Sequence, residues 1–94
     1  MYFLKQTKLF FEQIEELSPQ AKSILEKRIE LLKINPFRNK RIVGFHLNLF
    51  RIRFSDNGKE KRLVYLVDRP YVKLIYIIDR KNDYKNLKRY PENQ

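Results

Sequence analysis

In the first third of the chain, hydrophobic residues recur at every third or fourth position, the spacing of one helix face. A first helix is predicted by Leu9, Phe10, Ile14 and Leu17. Thr7 is placed to cap it, and Ser18-Pro19 predicts the start of a second helix, because serine caps helices and proline fits the first turn. That helix should end near residue 34, since Asn35-Pro36 disfavours further helical turns.

The second half changes to the alternation that is typical of strands. It predicts strands at 47–54, 61–67 and 71–78, after a short opening strand at 1–5. Asn57-Gly58 is a strong hairpin signal. The last strand is almost entirely apolar and should lie inside the sheet. The order β-α-α-β-β-β predicts an α+β fold, with an N-terminal strand and a helical hairpin packed on a mainly antiparallel sheet of about four strands.

The composition suits one folded domain over residues 1–94, since 43% of the residues are hydrophobic and 14% are aromatic. We expect a short helix around residues 83–87 and a frayed end beyond about residue 90. The predicted core includes the rings of Phe10, Phe11, Phe45, Phe50 and Phe54. No apolar run is long enough for a membrane span and no signal peptide is evident, which predicts a cytoplasmic protein without membrane contact.

Basic residues exceed acidic ones by 21 to 11, a net charge of +10. Residues 38–62 hold eight Lys or Arg and two acids, so more than half of the excess lies in this segment. Such a cluster indicates a polyanionic partner, either nucleic acid or an acidic protein segment. The alternative is a solvated surface that aids solubility.

Several kinds of site are disfavoured by the residues that are rare or missing. The sequence has no cysteine and a single histidine, His46, which argues against thiolate or histidine metal sites and against Cys or Ser-His nucleophiles. Two glycines leave no glycine-rich phosphate loop. We expect no metal and no cofactor, and we interpret His46 as a surface or hydrogen-bonded residue.

The strand at 47–54 carries the first candidate chemistry. If its apolar residues pack on the helices, Arg51 and Arg53 face away from them, about 6.5–7 Å apart. That spacing suits successive phosphates of a nucleic acid, and Arg62 on the next strand adds a third cation. The guanidinium group binds phosphate through a planar fork. Alternatively, these arginines pair with nearby carboxylates or solvate the sheet.

The order of elements and three motifs resemble the RelE/ParE toxin superfamily. The motifs are LFRIRF at 49–54, KRLVY at 61–65 and DRKNDY at 79–84, and the likeness covers roughly residues 1–85. Similarity to the RelE branch implies a type II toxin that is a metal-independent, ribosome-dependent endoribonuclease cutting mRNA in the A site. In that reaction the 2′-hydroxyl attacks the adjacent phosphate and leaves a 2′,3′-cyclic phosphate and a 5′-hydroxyl.

The resemblance also implies residue roles. Arg62 and Arg80 would neutralise charge on the phosphate in the transition state, and Arg53 would bind the adjacent phosphate or raise the local positive field. Tyr84 would stack on a base or transfer a proton. The implied RNA-binding residues are Arg51, Lys40, Arg41, Lys61 and Lys81.

Two departures from the family bear on proton transfer. Arginine replaces the family's lysines at Arg51 and Arg53, and arginine does not exchange a proton near neutral pH. Asp79 stands where many members carry histidine. A histidine-and-carboxylate mechanism is therefore not supported.

The resemblance implies a partner and leaves two alternative functions open. The partner is a cognate antitoxin with amphipathic, acidic segments, and the toxin by itself should be a monomer that forms oligomers only with the antitoxin. The alternatives are a ParE-like inhibitor of DNA gyrase without nuclease activity, and a non-toxic RNA-binding module of the same fold. Arg80 and Tyr84 favour the nuclease.

Overall fold

The computed structural model describes residues 1–44 and 46–79 as two helices packed on one mixed sheet. The strand order in the sheet is β1-β5-β4-β3-β2, with β1 parallel to β5 and every other neighbour antiparallel. The predicted α+β fold with a mainly antiparallel sheet is confirmed. The elements are β1 (Phe3–Gln6), α1 (Lys8–Glu15), α2 (Pro19–Leu31), β2 (Lys40–Arg41), β3 (Leu49–Asp56), β4 (Lys59–Asp68) and β5 (Tyr71–Asp79).

The sheet formed by the described residues has five strands, so the expected number of about four was wrong. The additional strand is β2, which pairs with the residues of β3 at Phe50 and Arg51. The Ile42 N–H continues this edge by donating to the Leu49 carbonyl at 2.8 Å. Two residues are too few to show an alternating pattern, and only the contact with β3 makes them a strand.

Both predicted helix caps are confirmed. The Thr7 hydroxyl accepts from the Phe10 N–H at 3.0 Å, and the Ser18 hydroxyl accepts from the Ala21 N–H at 3.2 Å. The Thr7 hydroxyl also donates to the carbonyl of Ile75 at 2.5 Å. Ile75 is the extra residue where the β4–β5 register shifts. Thr7 therefore both begins α1 and ties it to the irregular point of β5.

The main core lies between the helices and one face of the sheet, with α1 over β5 and α2 over β3. Phe50, Ile52 and Phe54 are buried on this face, as the alternation predicts. Phe11 was expected in the core but is 52% exposed. Adjacent residues on a helix point about 100° apart, and Phe10, which is 1% exposed, takes the core position.

A second apolar cluster occupies the centre of the opposite face. Its buried members are Ile42, Leu49, Val64, Ile75 and Ile78. The last strand therefore contributes to both clusters, and it lies between β1 and β4. This confirms that the nearly continuous apolar run of β5 marks an interior strand.

The β3–β4 hairpin turns at Asn57 and Gly58, whose φ angles are 52° and 79°. Both residues are of the types that tolerate positive φ, which confirms the predicted turn. Asp56 precedes the turn and is buried. Its carboxylate accepts from the Ser18 N–H at 3.1 Å and from the Lys61 ammonium at 3.3 Å. The hydrogen bonds from Ser18, with a smaller effect of Lys61, hold the pKa of Asp56 below its ordinary value.

The predicted helix around 83–87 and the frayed end beyond residue 90 lie outside the described residues, as does Phe45. Neither α1 nor α2 has the length and apolar character needed to span a lipid bilayer.

Asp56→Asn is expected to lower the melting temperature at neutral pH, because the amide cannot replace the charge that Ser18 and Lys61 contact. Since the folded-state pKa of Asp56 is lowered, its stabilisation is present above the ordinary value of 3.8 and is lost as the pH falls through the folded pKa. Thermal melts followed by circular dichroism should show the gap between the two proteins closing below about pH 4.

Exposed Asp68, the last residue of β4, provides the control: Asp68→Asn should leave the melting temperature near that of the unmodified protein. An Asp56→Asn gap of constant size down to the acid limit would contradict the assigned role.

Candidate nucleic-acid interface

Three arginines lie on the sheet face away from the helices. Arg53 of β3 stands directly opposite Arg62 of β4. Arg51 stands opposite Val64 on one side and Lys40 of β2 on the other. Directly opposed residues share a face, with Cβ atoms about 4.5–5.5 Å apart. The structure therefore brings Arg53 and Arg62 together and places Arg51 and Lys40 beside them.

The three arginines differ in exposure. Arg53 is exposed and Arg51 is half-buried. The side chain of Arg62 is only 13% exposed, and its Nη2 lies 3.5 Å from Glu60 Oε2. Pairing with a nearby carboxylate, one of the two alternatives for these arginines, therefore applies to Arg62. The same contact holds the guanidinium in place at the edge of the second apolar cluster.

A polar pocket of about 340 Å³ opens at the outer edge of β3. Sequence reasoning assigned no site role to three of its residues, Arg28, Arg38 and Asn39. A signal for Arg28 existed, because it lies on the buried stripe of α2 between Leu25 and Leu32, where an apolar residue is normal. The lining residues are Arg28, Arg38, Asn39, Lys40, Arg51 and Arg53.

Arg28 reaches this pocket because of an incomplete strand pairing. β2 covers β3 only at Phe50 and Arg51, so the outward carbonyl of Arg53 lies past the end of β2. The Arg28 guanidinium donates a hydrogen bond to that carbonyl. A cation from α2 is thereby fixed to the backbone of the strand that carries two of the predicted site residues, Arg51 for RNA binding and Arg53 for catalysis.

The loop that carries Arg38, Asn39 and Lys40 is anchored by Tyr65 of β4. The Tyr65 hydroxyl donates to the Pro36 carbonyl at 2.7 Å and accepts from Asn39 Nδ2 at 3.1 Å. The Tyr65 ring is fully buried and stacks on Phe50, with ring centroids 5.6 Å apart. Burial raises the pKa of Tyr65 to about 12 despite the opposing effects of Asn39 and the Arg28 charge.

The remaining predicted residues lie elsewhere. Lys61 is on the helix side of the sheet, where it contacts Asp56, and Arg41 stands opposite Phe50 rather than beside the arginines. His46 is exposed and does not line the pocket. Arg80, Lys81 and Tyr84 lie outside the described residues. Over residues 1–44 and 46–79, no three His, Cys, Asp or Glu side chains are grouped closely enough to hold a metal ion.

Known structures share this arrangement of helices and strands. A chain of the intact E. coli RelBE toxin–antitoxin complex is 20% identical over 87% of this chain and 100% of its own, with a TM-score of 0.74. The isolated E. coli RelE toxin is 16% identical over the full length of both chains, with a TM-score of 0.74. The chain has a RelE-like fold. The RelB–RelE complex of Methanococcus jannaschii also matches, at 20% identity over 86% of this chain and 95% of that one, with a TM-score of 0.65.

No protein-family model and no curated protein matches the sequence. The RelE-like fold confirms the architecture that the three motifs implied. At 16–20% identity the similarity concerns the fold, so the chemistry of the site must be argued from this chain's own residues.

Tyr65→Phe tests whether the hydroxyl anchors the pocket loop. The variant leaves the Pro36 carbonyl and the Asn39 amide without this partner, and we expect unfolding in urea to show a loss of about 1–3 kcal/mol. Since the folded-state pKa of Tyr65 is about 12 against an ordinary 10.0, its stabilisation is complete below pH 10 and is lost as the pH rises through 12. The difference in unfolding free energy between the unmodified protein and Tyr65→Phe should therefore narrow between pH 10 and pH 12.

Tyr71→Phe removes a hydroxyl from a tyrosine that is 38% exposed and is the matched control. Equal losses of unfolding free energy in the two variants would show that the hydroxyl of Tyr65 anchors nothing.

Proposed function

We propose that this protein is the toxin of a type II toxin–antitoxin system and acts as a ribosome-dependent mRNA endoribonuclease. The observation that carries the proposal is the pair Arg53 and Arg62, opposed on adjacent strands of a RelE-like fold on the sheet face that the helices leave open. The basic pocket continues this surface around β3. Fixed cations at this density suit a phosphodiester whose negative charge increases during reaction.

The proposed reaction is an in-line displacement at phosphorus. The 2′-oxygen forms a bond to the adjacent phosphorus while the bond to the 5′-oxygen breaks. One proton leaves the 2′-hydroxyl and one is gained by the departing 5′-oxygen. Arg62, held by Glu60, stabilises the charge on the non-bridging oxygens, and Arg53 binds the neighbouring phosphate. Arg51 and Lys40 contribute to binding the RNA backbone.

Proton transfer requires a different kind of residue, because arginine remains protonated throughout the physiological range. We assign this step to Tyr84, and we assign Arg80 to the transition-state charge together with Arg62. Both assignments follow from the DRKNDY motif and rest on its resemblance to the RelE branch. No metal is needed in this scheme, because the arginines supply the positive charge.

The proposed partner is a cognate antitoxin. Support comes from the E. coli and M. jannaschii relatives, which were solved in complex with their antitoxins. A net charge of +10 favours acidic segments in the partner, and electrostatic attraction of this size accelerates association. We propose a monomeric cytoplasmic toxin that forms larger assemblies only with the antitoxin.

Cleavage of a labelled mRNA, naked and on programmed ribosomes with a vacant A site, tests the activity. The unmodified protein should cut only on ribosomes. Arg62→Gln should reduce the rate by about 100-fold or more, the effect of removing one preorganised donor from a transition state. Lys59→Gln is the control, because it removes one charge from the same strand on the opposite face. Arg80→Ala and Tyr84→Phe test the two assigned residues of the DRKNDY motif.

The other possible outcomes of the cleavage assay lead to different conclusions. Cutting of naked RNA would identify a ribonuclease that does not depend on the ribosome. Absence of cutting by a folded, antitoxin-free protein would overturn the nuclease proposal, and inhibition of gyrase supercoiling would then be the next assay. Equal rates for Arg62→Gln and Lys59→Gln would remove Arg62 from the reaction.

A further inference from the structure

The pocket at the outer edge of β3 carries an inference that the proposed reaction does not include. We propose that it is a second phosphate subsite, in which the pocket residues together with Arg53 bind the backbone phosphate of single-stranded RNA next to the phosphate held at Arg62. Arg28 and Arg38 would be binding residues of this subsite. The inference rests on the proposed function for the identity of its ligand and extends the binding surface to α2 and to the loop after it.

The charge of the pocket is the first argument. Its lining in the described chain is five cationic side chains and one amide. None of the ion pairs found within residues 1–44 and 46–79 involves Arg28, Arg38, Lys40 or Arg53. Like charges this close together repel one another, and a bound anion would convert that repulsion into attraction.

The second argument is that the pocket is preorganised. The Arg53 carbonyl holds Arg28, and the Tyr65 hydroxyl holds Asn39, which lies between Arg38 and Lys40. A guanidinium has five N–H donors, so the single bond from Arg28 to the backbone leaves others to face a ligand. Side chains fixed before binding lose less conformational entropy when the ligand arrives.

The third argument is continuity with the reaction site. Arg53 belongs to both sites, since it stands opposite Arg62 across β3–β4 and also lines the pocket. Neighbouring strands are about 4.8 Å apart. An RNA strand that crosses β3 would therefore pass from Arg62, over Arg53, into the pocket. This path gives the site contacts with consecutive phosphates.

The lining also favours nucleic acid over an amphipathic protein segment. Among the described residues, every one that lines the pocket is charged or carries an amide, and none of these presents an aliphatic or aromatic side chain. An amphipathic helix needs an apolar surface on which to bury its hydrophobic face. A sugar-phosphate backbone needs only donors and positive charge, which arginine forks supply.

Binding of a short fluorescent RNA with 2′-O-methyl groups throughout tests the subsite without cleavage, since the methyl group blocks the nucleophile. Arg38→Gln, in an exposed loop, should raise the dissociation constant about tenfold and lower the slope of log affinity against log salt by about 0.7. Lys27→Gln removes the same charge from an exposed position of α2 that does not line the pocket, and it should change affinity less than twofold.

Arginine side-chain NMR adds a direct readout for Arg28. Substituting this residue would also remove its hydrogen bond to the Arg53 carbonyl, so a loss of RNA binding by such a variant would have two explanations. The Nε–Hε signals of Arg28 and Arg38 should shift on titration with the RNA. Equal weakening of RNA binding by Arg38→Gln and Lys27→Gln would overturn the subsite. So would shifts of the two signals with a poly-glutamate peptide but not with RNA, which would assign the pocket to an acidic protein.

The two proposals fail in different ways. RNA binding that depends on Arg38, from a protein that cuts nothing on ribosomes, would leave the subsite standing and overturn the nuclease. Ribosome-dependent cutting combined with RNA binding that is insensitive to Arg38→Gln would overturn the subsite and leave the nuclease.

Discussion

Tyr65 is the side chain on which the geometry of the basic surface depends. It lies in the middle strand of the sheet, is fully buried, and stacks on Phe50 within the main core. Its hydroxyl nevertheless holds two groups of the loop after α2, the Pro36 carbonyl and the Asn39 amide. A buried hydroxyl without partners would be costly, so the core and the loop stabilise one another. Three basic or polar side chains of the pocket are thereby placed by an aromatic residue that does not line it.

The two faces of the sheet and the outer edge of β3 differ in the residues they carry. One face is mainly apolar and packs on the helices, whereas the other combines an apolar centre with the arginines of β3 and β4. The outer edge of β3 is covered by β2 for only two residues, and Arg28 satisfies the next exposed carbonyl. An edge of this kind usually invites pairing with another strand. Here the Arg28 guanidinium occupies the exposed carbonyl of Arg53, so this group is not available to another strand, and the surface gains a positive charge.

A site built on arginines has a specific chemical character. Arginine binds and stabilises phosphate charge through directed hydrogen bonds, but it does not transfer protons. The described surface therefore suits positioning and electrostatic stabilisation of a phosphodiester. Stabilisation by directed hydrogen bonds requires that Arg53 and Arg62 be held in defined positions. Glu60 contacts the Arg62 side chain, and Arg28 binds the Arg53 carbonyl, so both strands are held at this point. The proposed binding of RNA should depend steeply on salt concentration.

Local physics in the sequence determined the helix starts at Thr7 and Ser18, the Asn57-Gly58 turn and the face of Arg51 and Arg53, because caps, turns and period-two alternation depend on neighbouring residues. Tertiary structure decided what depends on distant contacts. β2 exists only through its pairing with β3. Arg28 enters the pocket only because β2 ends early. Lys61 contacts Asp56 on the helix side of the sheet, whereas the next residue, Arg62, faces the other way, because adjacent residues of a strand point to opposite faces. The pairing of β2 with β3 and the bond from Arg28 to the Arg53 carbonyl join separate elements of the chain, the second of them across 25 residues, and no local pattern encodes their meeting.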